Sequence, residues 1–236
     1  MGRSLPSHHN HHHRHNHSEY GSEIPMQITI QGKQIDLGNA LREHVQGKME
    51  DVNSKFFNHA TFATVTFSRE GHGHGLVRTH ITLQVGKAIK ILADATEGDA
   101  YLSFDRASEK IAEQLRRYKQ RLRDHHDRLE QLPDGDGQSA REHVLADGHE
   151  DVPHGDDPPI IAEMATNIET LSVSEAVMRM DLANLPALLF RNASHEGLNM
   201  VYRRPDGNVG WVDPVGNHVI AKTKAPHREK SKAGRA

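Results

Sequence analysis

Arginine and lysine recur along one side of a single predicted helix near the middle of the chain, and their chemistry is phosphate binding. At about 100° per residue, Arg106, Lys110, Arg117, Arg121 and Arg128 fall within about 60° of one another. They form a row roughly 33 Å long. Arg116, Lys119 and Arg123 flank it. Guanidinium forks bind phosphate oxygens two at a time, and each neutralised phosphate releases counterions. Glu109, Glu113, Asp124 and Asp127 temper the row through neighbours three and four positions away, so a solvated charged face is the competing explanation. RNA is the expected partner rather than DNA, because no helix-turn-helix or zinc-finger pattern occurs.

Other chemistries find less support. His72 and His74 form a Gly-His-Gly-His-Gly stretch, but no third ligand stands near them, so a hairpin tip explains them better than a metal site. Seven histidines lie between His8 and His17 without any spacing that fixes a coordination geometry. Residues 1–25 read as a disordered tag or upstream extension ahead of a second plausible start at Met26. No cysteine is present, which removes disulfides, thiolate metal sites and thiol nucleophiles. No Walker loop, G-x-G-x-x-G or G-x-S-x-G motif occurs. Catalytic residues, a bound metal and a cofactor are therefore not expected, and the chain reads as a binding protein rather than an enzyme.

The basic row needs elements to hold it. Met26, Ile28 and Ile30 alternate as in a strand. Leu37, Leu41, Val45, Met49, Val52 and Phe56 recur at helical spacing, with Asp36 as the expected N-cap. Three alternating runs follow: Ala63, Val65, Phe67; then Val77, Thr79, Ile81, Leu83, Val85; then Ile89, Ile91, Ala93, Ala95. The basic helix comes next, from Asp99 to Leu129, with Phe104, Ile111, Leu115, Tyr118, Leu122 and Leu129 as its core stripe. The order β-α-β-β-β-α predicts an α+β sandwich with two helices on one face of a mostly antiparallel sheet. That shape resembles double-stranded-RNA-binding domains.

Charge marks the remaining boundaries. The chain of 236 residues has a net charge of only −3 and a mean hydropathy of −0.71, yet residues 129–158 alone carry −8 and residues 216–236 carry +5. The acidic stretch 130–158 reads as a flexible linker, extended by self-repulsion and kept off RNA by its charge. Residues 159–214 read as a small β-rich domain with one helix. Ser172 and Glu175 fit a capping box, and Arg204-Pro205-Asp206-Gly207-Asn208 has turn chemistry. A block this small buries little surface, so self-association is expected through Leu188, Phe190, Val201, Tyr202 and Trp211; a core packed against the first domain is the plainer alternative. The linker argues against constant docking of that kind. The tail 215–236 reads as basic and disordered. No apolar run approaches about 18 residues, so no membrane span is expected and a cytoplasmic protein is the plain expectation.

Two blocks resemble a known family. The first is Ala40-Leu-Arg-Glu-His-Val45, with Glu97-Gly-Asp99-Ala-Tyr101-Leu-Ser-Phe-Asp105 continuing through Lys110, Gln114-Leu115 and Lys119. The second is Ser174-Glu-Ala-Val-Met-Arg-Met180, Leu189-Phe-Arg-Asn192 and Val201-Tyr-Arg-Arg-Pro-Asp-Gly207. Together, in this order, they resemble the long form of the ribosome hibernation promoting factors, the ribosome-associated inhibitor / sigma-54 modulation family. The resemblance implies that the first domain contacts rRNA on the small ribosomal subunit, where mRNA and tRNA bind. It implies that the second domain forms a homodimer that joins two ribosomes into an inactive pair. The rRNA contacts it implies are Arg42, Lys110, Arg117, Arg116, Lys119 and Arg121, with Lys87 and Lys90 as further candidates. Arg106 and Arg123 join them from the basic row. Two other readings stand beside it: an inhibitor of single ribosomes that does not pair them, motivated by Pro186-Ala187 where a bulky aromatic pair is expected, and a metal-responsive regulator using the His-rich segments.

Overall fold

The structure is a computed structural model that describes residues 25–56, 60–71, 75–86, 88–130, 137–147 and 158–217, the side chains of 125–130 excepted. The His-rich start, His72, His74, Lys87, the side chains of Arg128 and Leu129, and the tail from residue 218 lie outside it.

The first module follows the expected order. Strand β1 (Gln27–Lys33) precedes helix α1 (Asn39–Phe56), then β2 (Ala60–Glu70), β3 (Leu76–Val85), β4 (Ile89–Glu97) and α2 (Ala100–Glu130). The sheet order is β1-β2-β3-β4, with β1 parallel to β2 and the other pairs antiparallel. A parallel pair needs a crossover, and α1 supplies it. Helix α1 buries Leu41, Val45, Met49, Val52 and Phe56, and α2 buries Phe104, Ile111, Leu115, Tyr118 and Leu122 against alternate residues of the strands. Within this core the hydroxyls of Thr79 and Ser103 pair at 2.6 Å, so neither is left unsatisfied.

Local signals set the helix starts unequally. The Asp99 carboxylate accepts from the backbone N–H of Leu102 at 2.9 Å and caps α2. Asp36 does not cap α1, which opens three residues later, where the Gly38 carbonyl accepts from Arg42. The chain bends just after β1 at Gln34, which takes a positive φ of 58°, and folds back so closely on Gly32 that any Cβ there would lie 2.3 Å from the Ile35 carbonyl oxygen; that bend takes up the residues before the helix.

The second module departs from expectation. Strand β5 (Gly137–Leu145) lies inside the stretch read as linker and pairs antiparallel with β6 (Ile160–Leu171). Arg141 and His143 both reach Glu163 across the ladder, at 3.2 and 3.1 Å, so local pairing offsets the charge expected to keep this segment extended. Then come α3 (Val173–Leu182), β7 (Ala187–Asn192), β8 (Leu198–Arg203) and β9 (Val209–Val212). The sheet order is β5-β6-β7-β8-β9. The Ser172 side chain caps α3 by accepting from Glu175 N–H at 3.2 Å, as its capping box predicts.

Helix α3 is buried from both sides. Ala176 and Met180 join Leu171, Phe190 and Val201 in a small second core, whereas Met178 and Leu182 belong to the core of the first module. Arg179 is buried as well; its Nη1 donates to Glu169 at 2.5 Å and to the Ala88 carbonyl at 3.1 Å. The second module is thus docked on β4 and α2, contrary to the expectation drawn from a long linker. Among the described residues, no helix is long and apolar enough to cross a membrane.

Candidate nucleic-acid interface

Packing of the α2 core stripe turns its cations outward. Arg106, Lys110, Arg116, Arg117, Arg121 and Arg123 are exposed and Lys119 is half-buried. They divide between two flanks of the helix. Lys110 and Arg117 line a groove with Leu92, Ala93 and Asp94 of β4 and with Asp181, Asn184 and Arg203 of the second module. The opposite flank faces α1, because Asp105 there contacts His44 at 2.7 Å and Lys48 at 3.5 Å. Arg116, Lys119 and Arg123 fall within about 40° of Asp105 and continue that flank. Glu113 lines the same groove beside Lys110 and Arg117, and Glu109 stands exposed on the ridge between the two flanks.

Several cations are already oriented. Arg106 pairs with Glu97 at 3.2 Å, and the Lys110 ammonium donates to the Asp94 carbonyl at 2.6 Å. The Asp94 carboxylate does not cancel Lys110, since Arg78 at 2.6 Å and His80 at 2.9 Å hold it. Burial alone would raise the Asp94 carboxyl, but the hydrogen bonds and charges of His80 and Arg78 outweigh it and hold the group below its ordinary range.

Two expected contacts stand apart from the helix. Arg42 is exposed but ties back through Nη1 to the Ile30 carbonyl at 3.2 Å. Lys90 alternates with buried Ile89 and Ile91 and so projects from the sheet face opposite the helices. Conversely, Arg203 shares the groove of Lys110 and Arg117, although nothing local in the sequence marked it. Only the docking of two distant segments brings it there.

The expected self-association residues also separate. Phe190 and Val201 are fully buried beneath α3, because their alternation places them on the inner face of the sheet. Leu188 packs against the same core and Tyr202 is half-buried. Trp211 is 53% exposed, with its indole N–H donating to buried Asn199 at 2.9 Å. The outer face instead exposes Leu189, Leu198, Met200 and Val212, with Leu189 paired to Met200 and Met200 to Val212. Among the described residues no group of three or more histidine and acidic side chains is placed to hold a metal ion.

Comparison with known proteins follows this division into modules. Residues 28–123 match the family described as Sigma 54 modulation protein / S30EA ribosomal protein, and residues 155–210 match its C terminus family. A ribosome hibernation promotion factor of Bradyrhizobium diazoefficiens is 40% identical over 203 residues, spanning 84% of this chain and 98% of that protein. One from Rhizobium meliloti is 32% identical over 194 residues, spanning 80% and 97%. Among solved structures, a ribosomal subunit interface protein from Coxiella burnetii is similar over 40% of this chain and 98% of that one, with 22% identity and a TM-score of 0.34. With a basic helix, a second module behind it and relatives aligned across both, the chain belongs to the ribosome hibernation promotion factor family.

Proposed function

We propose that this chain binds the small ribosomal subunit at the channel used by mRNA and tRNA, inhibits translation there, and joins two ribosomes into an inactive pair through its second module. The observation that carries the reading is α2, whose cations are exposed on both flanks while its apolar stripe is buried. A rod of cations of this kind suits rRNA phosphates, and the bulk of the domain then excludes tRNA. The action is steric and electrostatic, as befits a family that works by binding rather than catalysis. Pairing is assigned to a homodimer through the exposed apolar face of β7, β8 and β9.

A second reading has its own support. Burial of Phe190 and Val201 in the second module's own core removes two residues from the expected dimer surface, which favours inhibition of single ribosomes without pairing. Sucrose-gradient sedimentation of ribosomes with the full chain separates the two. A faster peak of paired ribosomes, with binding that weakens steeply as salt rises, is the expected result. Co-sedimentation with single ribosomes alone removes the pairing role and leaves the inhibitor. A chain that stays at the top of the gradient overturns both.

A further inference from the structure

The flank of α2 that faces α1 begins with a tyrosine for which the fold has little use. Tyr101 is 43% exposed, and its hydroxyl makes no hydrogen bond among the described residues. Its ring rests against His44 of α1, with centroids 5.4 Å apart and planes tilted by 52°. His44 meets the buried Phe104 edge-on at 5.7 Å and is fixed by Asp105 at 2.7 Å. A ladder of rings rooted in the core therefore presents the tyrosine at the surface. Lys48 reaches the same Asp105 carboxylate at 3.5 Å and offsets its charge. Arg116, Lys119 and Arg123 follow along the same flank, all within about 60° of Tyr101.

An exposed ring at the head of a line of cations suits one class of ligand. Duplex RNA offers phosphates but keeps its bases stacked inside; an unpaired strand offers both a backbone and free base faces. We propose that Tyr101 is a stacking platform for an unpaired nucleobase, at the head of a single-strand track along the seam between α1 and α2. The proposal rests on the RNA-binding reading above and sharpens its ligand to single-stranded RNA. In this track Lys48, Arg116, Lys119 and Arg123 meet the phosphates, and His44 and Asp105 position the ring without touching the base.

Fluorescence anisotropy of the full chain with labelled oligouridylate, and with a duplex RNA of equal length, tests it over a range of salt. Stacking depends little on salt, so Tyr101→Leu weakens single-strand binding roughly 5- to 150-fold while leaving the slope of log affinity against log salt unchanged. Duplex binding stays as it was. Tyr101→Trp keeps the platform and binds the single strand at least as tightly as the parent, which guards against a Leu variant that merely folds poorly. Arg117→Gln, on the other flank and off the track, lowers the salt slope of duplex binding by up to about 0.9 and serves as the control for the RNA-binding reading itself. Equal single-strand affinity for the parent and Tyr101→Leu overturns the platform while Arg117→Gln still shows its effect. An equal loss on duplex and single strand overturns it too. If the parent chain binds neither RNA, the platform falls together with the reading beneath it.

Discussion

The hydroxyl of Tyr118 on α2 donates a hydrogen bond to one carboxylate oxygen of Asp181 on α3, and the other oxygen accepts from Arg203 on β8 at 2.8 Å. One carboxylate thus clasps the basic helix to the second module. Asp181 and Arg203 line the groove of Lys110 and Arg117, so the clasp borders the cationic surface. Burial, followed by the hydrogen bond and charge of Asp181, pushes the Tyr118 phenol up to about 12.

The clasp gives a pH signature. A raised phenol pKa means that the docked fold holds its proton more tightly than the unfolded chain does. The contribution is fully present below the unfolded value of 10.0 and is lost as pH rises through about 12. Tyr118→Phe should cost about 1–3 kcal/mol at neutral pH, and its deficit relative to the parent should shrink across that alkaline window. Urea unfolding of both proteins at neutral and alkaline pH measures this; a deficit unchanged with pH would sink the assignment.

Helix α3 carries a second prediction. Met178 is fully buried in the first module's core and Met180 in the second module's own. Met178→Ala should cost about 2–5 kcal/mol, because the cavity opens where the modules join. Loss of that joint should also split the unfolding transition. The only tryptophan, Trp211, reports on the second module, while far-ultraviolet dichroism reports on the whole chain. The two probes should coincide in the parent and separate in Met178→Ala. Separate transitions in the parent would mean that the modules unfold independently, and the docking would then be loose.

How far the sequence spoke depends on how local each feature is. The periodicities of α1, α2 and the first four strands were legible because each element buries one stripe or one alternating face, and spacing encodes that directly. The outward row from Arg106 to Arg121 came from the same arithmetic. Strand β5 was not legible: its burial pattern shows no buried position, and it is held by a backbone ladder with β6, to which Arg141 and His143 add contacts with Glu163. Composition alone could not reveal that pairing. The inner placement of Phe190 and Val201 was missed for another reason. Alternation identifies two faces of a strand, but only the position of α3 decides which is covered. Arg203 and Asp181 could not be read at all, because their roles arise where two modules touch.

Asp94 supplies a prediction at the acid end. Its carboxyl is held low chiefly by His80, then by Arg78, against the opposing effect of burial. A depressed folded pKa stabilises the fold above the unfolded value and loses that contribution as pH falls through the folded one. The ordinary aspartate value is 3.8, so the loss should appear below about pH 4. Asp94→Asn should be less stable than the parent at neutral pH and should converge on it in acid. The check is thermal unfolding from neutral pH downward. A gap that stayed constant into acid would show that packing around Asp94, rather than its charge, was lost. Lys110 donates to the Asp94 backbone carbonyl, so that anchor should survive the substitution.

The outer face of the second sheet offers the test of self-association. Leu189 and Met200 are cross-strand partners on the surface opposite Phe190 and Val201, and both are substantially exposed. Leu189→Glu with Met200→Glu places two charges in solvent in a single copy, where each substitution should change stability by no more than about 0.5 kcal/mol. In a dimer that covers this face, the same charges would be buried side by side without partners, at a cost of several kcal/mol. Sedimentation equilibrium should therefore find the parent dimeric and the double variant monomeric, with the same far-ultraviolet dichroism, and only the parent's melting temperature should rise with protein concentration. Phe190→Ala should instead lower stability by about 3–5 kcal/mol, because it empties the inner core. A double variant that remained dimeric would move the interface elsewhere. The β5–β6 arm would then be the next surface to alter, since Leu145, Ile160, Ile161 and Met164 are exposed there and a two-stranded arm is only marginally stable without cover.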